Sequence, residues 1–492
     1  MIAALVQGVF SLVVAYYAAY ALLELRMVLL ARKCEKARLT EVDSVGASLA
    51  EGAGLPTVSV LLPVYNESLV VARLIDAVCR LDYPAGRFEI LVLDDSTDET
   101  TALAAARVSE HAARGVDVRL LRRNERSGFK AGNLINGIRV AKGDFLAIFD
   151  ADFLPERDFL LRTIPCFDDP QVGFLQTGIG YTNRDASFLT RFQAMEMGHQ
   201  QFVTVGLNHD GLMGSLSGSS CVWRRACVES IGGWSAETIT EDVDLGYRAQ
   251  LQRWKYAFLR DVVSLSELPE TISAFRIQRD RWARGLIHNA FRHFRSMLAM
   301  RMSIVERLHA ISMMFSSLLL SSFFVLILLS LPLALITDEL GAFFDVNCIV
   351  FLFALLVWAF GNALGSQQGA GLPSDEPVWK RGMQLYAYVA MFLPMSLYYF
   401  SAGVQLLAGV QGGFHRTPKG RGRARPDVPA INHVLATLEW LTFVYSAAAL
   451  VAAIANGNYW IAPFSGTACA GFALVLFFAH RERRVRRTVT SG

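Results

Sequence analysis

The chain has 492 residues, 53% hydrophobic and only 18% charged, with a formal net charge of +3. That composition, with its positive mean hydropathy, excludes an ordinary soluble protein. Lys and Arg cluster beside apolar spans rather than along a polar face, which excludes a nucleic-acid partner; the seven cysteines include no CxxC pair and no His at zinc spacing, and so point to a reducing compartment.

Residues 2–25 form an apolar run broken only by Glu24, long enough to cross a hydrocarbon core of about 30 Å. The run lacks the basic start and small-residue cleavage site of a secretory signal, so it is expected to be retained. Arg26, Arg32, Lys33, Lys36 and Arg38 follow at once, which places the N-terminus outside and the next segment in the cytoplasm. That segment, 50–285, has globular composition and is large enough for one substantial core. Its short apolar runs at 58–63, 89–93, 118–121 and 145–149, separated by helical or turn-like stretches, predict a parallel α/β sheet.

Further spans are predicted at 310–336, 342–364, 434–455 and 459–479. Segment 383–409 is less clear, with Pro394, polar Ser and Gln, and many tyrosines. If it spanned, the basic loop 416–425 and the basic tail 481–487 would both lie outside; as an interfacial or re-entrant helix it keeps both inside. About five spans plus interfacial helices are therefore expected. The chain divides into a first span within 1–30, a cytoplasmic domain 50–285, a membrane region 286–480 and a basic tail 481–492.

Several motifs carry chemistry. The first run continues as Val64-Tyr65-Asn66-Glu67, a polar turn suited to a base and ribose, although an ordinary strand-to-helix loop would look the same. Asp94 and Asp95 end the second run, where open α/β sheets bind ligands and where hydrogen bonds to uracil and ribose are plausible; Ser96 or Thr97 is equally suited to a plain N-cap. Asp150-Ala151-Asp152 follows the fourth run, with two carboxylates on alternate positions and hence on one side of an extended chain. Such hard oxygens suit a divalent cation bound to a diphosphate. Thr240-Glu241-Asp242 precedes an amphipathic stretch, so Asp242 is either a helix-capping acid or a general base for an acceptor hydroxyl. Gln278-Arg279-Asp280-Arg281-Trp282 lies just before the membrane region, where Trp can stack on a sugar and Arg can contact a diphosphate.

In the order D, DxD, TED, QxxRW this set resembles the membrane-integrated family 2 glycosyltransferases, the group of cellulose, chitin and hyaluronan synthases. It is most similar to their cellulose-synthase-like A group of mannan and glucomannan synthases, through Gly232-Gly233-Trp234, Glu241-Asp242-Val243-Asp244-Leu245 and Glu267-Leu268-Pro269-Glu270-Thr271. The resemblance implies an α/β domain of the GT-A type inserted between transmembrane helices. It implies donor binding by Tyr65, Glu67, Asp94, Asp95, Lys130, Asp150, Gln278 and Arg281, and a Mg²⁺ or Mn²⁺ ion on Asp150 and Asp152. Asp242 becomes the catalytic base with Glu241 beside it, while Trp282, Ser219 and Cys221 face the acceptor. Segment 411–425, with Phe414, Arg416, Thr417 and Lys419, resembles the gating loop of cellulose synthases.

Two departures qualify the likeness. Gln176-Thr177-Gly178 stands where many cellulose synthases have Gln-Thr-Pro, which argues against cellulose as product. After residue 479 only a short basic tail remains, so a cyclic-dinucleotide-binding module is not expected. The expected function is inverting, processive transfer from UDP-glucose or GDP-mannose to a growing β-linked polysaccharide, with secretion through the bilayer of the plasma membrane and an export partner left open. Single transfer to a lipid and a non-catalytic export scaffold are the alternatives.

Overall fold

The computed structural model describes residues 2–38, 54–366, 377–409 and 433–490. Helix α1 (Ile2–Arg38) leads into an α/β domain that runs β1 (Val58–Val64), α2 (Val71–Val78), β2 (Phe88–Asp94), α3 (Thr100–Ala113), β3 (Val118–Arg122), α4 (Phe129–Val140), β4 (Phe145–Ile148) and α5 (Phe159–Thr163). It continues with β5 (Val172–Tyr181), α6 (Phe188–His209), β6 (Cys221–Arg224), α7 (Arg225–Ser230), α8 (Glu241–Leu251), β7 (Lys255–Ser266) and α9 (Ile272–Ala299). Six helices follow: α10 (Ile304–Met314), α11 (Ser316–Leu335), α12 (Ala342–Ser366), α13 (Val378–Leu407), α14 (His433–Ala455) and α15 (Ile461–Thr490).

The first strands are uninterrupted apolar runs because both faces of the sheet are covered. Period-two alternation sends Val58, Val60, Leu62 and Val64 of β1 to one side, against Val71, Leu74, Ile75 and Val78 of α2. Leu61, Leu91 and Leu93 point the other way, onto Leu134 of α4 and Leu245 of α8. The described strands form one seven-stranded sheet in the order β3-β2-β1-β4-β6-β5-β7.

Strands β1 to β4 are mutually parallel, as expected. The sheet is nevertheless mixed, since β6 runs antiparallel to both β4 and β5. That half was not anticipated: β6 has only four residues, too few for a periodic signal. Strand β1 sits between β2 and β4, so the connections leaving β1 and β4 part at their carboxyl ends and open a crevice there.

Among the described residues six helices are long and apolar enough to cross a membrane, within α1, α11, α12, α13, α14 and α15. The span expected at 310–336 is divided at Phe315, and α10 is a separate short helix. A capping box starts it: Glu306 N donates to Ser303 Oγ at 3.2 Å and Ser303 N to Glu306 Oε2 at 2.6 Å. Helix α13 meets the α/β domain at its middle and towards its C-terminal end. Tyr388 and Phe392 lie 5.2 and 5.4 Å, centroid to centroid, from Phe192 of α6. Near the C-terminal end, Gln405 accepts a 2.6 Å hydrogen bond from Arg284 of α9. The segment expected at 383–409 as an interfacial or re-entrant helix is itself long and apolar enough to cross a membrane.

Polar contacts lock the domain onto these helices. Glu24 of α1 is buried and hydrogen-bonded to His199 of α6. Arg276 of α9 pairs with Glu439 of α14 (Nε to Oε1 2.8 Å), which also accepts from the Tyr398 hydroxyl at 2.6 Å. Gly206 lets α6 approach α1: a Cβ there would lie 2.3 Å from the Met27 carbonyl oxygen. Gly206→Leu is expected to lower the thermal midpoint of the purified protein by about 5 °C through overpacking. Gly8→Ala, at a position with nothing within 4 Å, should leave it unchanged or slightly higher.

Candidate active site

The two carboxylates that end β2 have different surroundings. Asp94 is fully buried; it accepts from Ser96 N (2.9 Å) and Thr101 Oγ1 (2.7 Å), with Arg122 at 3.3 Å. Its oxygens are used up in shaping the turn into α3, which corrects the expectation that it faces the donor. Asp95 is held by a two-pronged pair with Arg123, at 2.7 Å on each oxygen. Arg123 also donates to the carbonyls of Ser127 and Phe129, so this pair sets the loop that starts α4. Tyr65 lies beneath Arg126, whose guanidinium carbon is 3.4 Å from the ring centroid. Glu67 belongs to the same turn, its carbonyl accepting from Val70 and Val71 N at 3.0 Å each.

From the first turn of α4, Lys130 reaches the centre of the crevice. Its Nζ is 2.7 Å from Asp150 Oδ1 and 3.5 Å from Glu241 Oε1, and it donates to the Gly218 carbonyl at 3.0 Å. Burial disfavours its charge, but Asp150, Glu241 and Asp242 together outweigh that and raise its pKa. Asp242, in the first turn of α8, has the opposite balance. Burial and the neighbouring Glu241 push its carboxyl up to about 7, with Lys130 pulling the other way.

The chain turns directly after β4, with Phe153 N donating to the Asp150 carbonyl at 3.0 Å. Asp150 and Asp152 therefore do not share one side of an extended segment, as the sequence suggested. Asp152 is buried and accepts from Ser266 Oγ (2.5 Å) and Glu267 N (3.2 Å), away from Lys130. Among the described residues no group of three or more His, Cys, Asp or Glu converges as a metal cage. Two carboxylates still suit Mg²⁺ or Mn²⁺, which commonly takes one or two protein oxygens and completes its shell with phosphate and water.

The loop between α6 and β6 supports this centre from behind. Ser219 is buried, and its hydroxyl accepts from Asp150 N at 2.9 Å. Cys221 is wholly buried on β6, paired with Ile148 and Gln176, and burial pushes its thiol up to about 12. Both belong to the wall of the crevice. Gln176 holds the same loop, donating to the carbonyls of Ser219 (3.0 Å) and Ser220 (3.2 Å). Gly218 has φ +67°, and a Cβ there would be 2.5 Å from Asp242 Oδ2. Glycine is needed on both counts.

Helix α9 presents Gln278, Arg281, Trp282 and Gly285 at i, i+3, i+4 and i+7, which is one face. That face meets the loop carrying Glu241 and Asp242. A Cβ on Gly285 would lie 2.3 Å from Thr240 Cγ2, and Asn289 donates to Thr240 Oγ1 at 2.8 Å. One turn further, His293 meets Asp244 Oδ1 at 2.8 Å, while Arg248 takes the other oxygen at 2.7 Å. Gln278 Oε1 is buried and has no hydrogen-bond partner, as befits an atom that meets a ligand. Arg279 and Asp280 point elsewhere and pair with Glu196 and Arg284.

Sequence reasoning missed Arg123 and His293, and gave no role in the site to Gln176, Gly218 or Asp244. For Gly218 the cue was a lone glycine in a serine run, Ser217-Gly218-Ser219-Ser220; the others have no local signature. Phe414, Arg416, Thr417 and Lys419 lie outside the described residues.

Residues 56–285 match the family described as "Glycosyltransferase like family 2". This segment is a family 2 glycosyltransferase domain. Its seven-stranded mixed sheet with flanking helices is of the GT-A type. Glucomannan 4-beta-mannosyltransferase 1 of Cyamopsis tetragonoloba is 35% identical over 296 residues, covering 58% of this chain and 56% of that one. Glucomannan 4-beta-mannosyltransferase 2 of Arabidopsis thaliana is 38% identical over 240 residues, covering 47% and 45%. The chain thus spans about half the length of the curated relatives it matches. Among solved structures, a mannosyltransferase from Pyrobaculum calidifontis in complex with GDP-Man and Mn²⁺ is similar at a TM-score of 0.49 and 20% identity, covering 80% of this chain and 100% of that one.

The glycosyltransferase domain has a measurable electrostatic signature. Asp242 titrates at about 7 in the fold against about 4 in an unfolded chain. Its contribution therefore favours the fold below about pH 4 and is lost as pH rises through about 7. Asp242→Asn, neutral throughout, should unfold at a higher temperature than the wild type at pH 8, and this gain should fall by about half at pH 5 and vanish only below about pH 4; calorimetry in detergent at pH 8 and pH 5 checks it.

Proposed function

We propose that this protein is an inverting, processive β-glycosyltransferase that builds a polysaccharide from GDP-mannose or UDP-glucose and passes it across the membrane that holds it. The observation that carries the reading is a half-buried carboxylate, Asp242, set beside Lys130, Asp150 and Glu241 at the carboxyl end of the sheet. The α9 face bearing Gln278, Arg281 and Trp282 starts from the same wall. The names of the relatives, glucomannan 4-beta-mannosyltransferases, support a mannosyl donor and a β-1,4 product.

The donor's nucleoside diphosphate sits over the loops after β1, β2 and β4, with Tyr65, Asp95 and Lys130 along its length and Gln278 and Arg281 near its phosphates. Mg²⁺ or Mn²⁺ on Asp150 and Asp152, when bound, neutralises the charge that develops on the leaving diphosphate. Trp282 carries the terminal sugar of the acceptor. Asp242 takes the proton from the acceptor hydroxyl as that oxygen bonds to the anomeric carbon. The carbon–phosphate-oxygen bond breaks on the opposite side, so an α-linked donor yields a β-linked product. Basic residues beside the apolar stretches, Arg26 and Lys33 in the C-terminal part of α1 and Arg481 to Arg484 on α15, support a cytoplasmic domain.

The test is nucleotide release and product sizing with the purified protein in nanodiscs, offered GDP-mannose or UDP-glucose with Mg²⁺ or Mn²⁺. A high-molecular-weight glycan that Asp242→Asn abolishes is expected; a lipid-soluble monoglycoside alone would overturn processive synthesis. Because Asp242 must be ionised, kcat/KM should fall about tenfold per pH unit below roughly pH 7. Gly218→Ala should cut turnover at least ~100-fold, because its methyl group displaces the Asp242 carboxylate, while leaving the chain folded.

A further inference from the structure

Arg279 is the residue of the Gln278–Trp282 motif that the proposed reaction leaves unused, and it is among the most deeply buried large side chains of the molecule, at 1% exposure. Its guanidinium forms a two-pronged pair with Glu196 of α6, Nη1 to Oε1 and Nη2 to Oε2 both at 2.5 Å. The guanidinium carbon lies 4.8 Å from the Phe275 ring centroid and 4.7 Å from that of Trp282. One planar cation is thus fixed by a carboxylate and shared between two rings on its own helix. Buried ion pairs often add little net stability, whereas a forked Arg–carboxylate pair fixes orientation closely.

Helix α6 is a firm base for such a device. Gln193, three residues before Glu196, donates to the Pro269 carbonyl at 2.9 Å, in the segment that leads into α9. His199, three residues after it, is hydrogen-bonded to Glu24 of α1. Glu196 is therefore braced between the start of α9 and a membrane helix.

We infer that Glu196 is a positioning residue: through Arg279 it holds the Trp282 ring in the attitude needed to receive the acceptor sugar. The assignment rests on the proposed glycosyl transfer for its consequence, but the geometric part can be measured without turnover. Full-length protein in nanodiscs is labelled with 5-fluorotryptophan, and the Trp282 fluorine resonance is identified by its loss in Trp282→Phe. The double change Glu196→Met with Arg279→Met removes both charges at similar volume, and Arg279→Lys keeps the charge but loses the fork and the stacking, so that a failure of the double variant to fold leaves a second route.

The Trp282 resonance is expected to shift or broaden in either variant while the remaining Trp resonances stay in place. With mannohexaose as acceptor and GDP-mannose as donor, the acceptor KM should rise about tenfold while the donor KM stays within about twofold. An unmoved Trp282 resonance in both variants overturns the inference, as does an equal rise in the two KM values, which marks general loosening. A wild-type protein that transfers to no acceptor counts against the proposed function alone, because the fluorine measurement still decides where Trp282 is held.

Discussion

Three carboxylates around a single ammonium form the constraint on which the site depends. Asp150, Glu241 and Asp242 come from two separate segments, the turn after β4 and the start of α8, and like charges so close could not all stay ionised out of water. Lys130 neutralises part of that repulsion from a third segment. Burial first, and then the repulsion that remains from Glu241, pushes the Asp242 carboxyl up to about 7 rather than leaving it in the usual acidic range. The same crowding that lifts Asp242 makes it a competent proton acceptor, while the residual charge deficit of the crevice suits a metal-bound diphosphate. A soluble enzyme could relieve this strain by letting in water; here the Gly218 backbone lies directly against Asp242 and keeps the carboxylate in place.

Helix α9 translates this chemistry to the bilayer. One face carries Gln278, Arg281 and Trp282 and, a turn further on, Gly285 and Asn289 against Thr240. Other residues of the helix face outward: Arg276 reaches Glu439 of α14, and Arg284 reaches Gln405 of α13. Both are anchored to segments that flank residues 410–432, so the helix that carries the proposed acceptor face is also joined directly to the membrane part.

Much of this arrangement was legible in the residues. Strands β1 to β4 announced themselves because burial on both faces leaves apolar runs, and carboxylates at their ends have few structural uses. The Gln278, Arg281, Trp282 spacing was readable as one helical face. What failed to show was anything decided by the chain's return path. Alternation implied that Asp150 and Asp152 share a side, but a turn separates them. Asp94 looked like a twin of Asp95, yet Thr101, seven residues on, claims it. Ser219 and Cys221 looked like pocket residues because they adjoin the site in sequence, whereas the antiparallel β6 turns them into the wall. The break at Phe315 has no composition to announce it.

The clamp of Asp244 on His293 and Arg248 has a mechanical meaning. It joins α8 to α9 by a fully buried carboxylate, with Gly285 pressed on Thr240 one level up. In the proposed reaction the proton acceptor and the aromatic shelf for the sugar are therefore carried on two helices pinned together by buried contacts. Clearance for an incoming donor and an outgoing diphosphate has to be found on the opposite bank, among the loops after β1, β2 and β4.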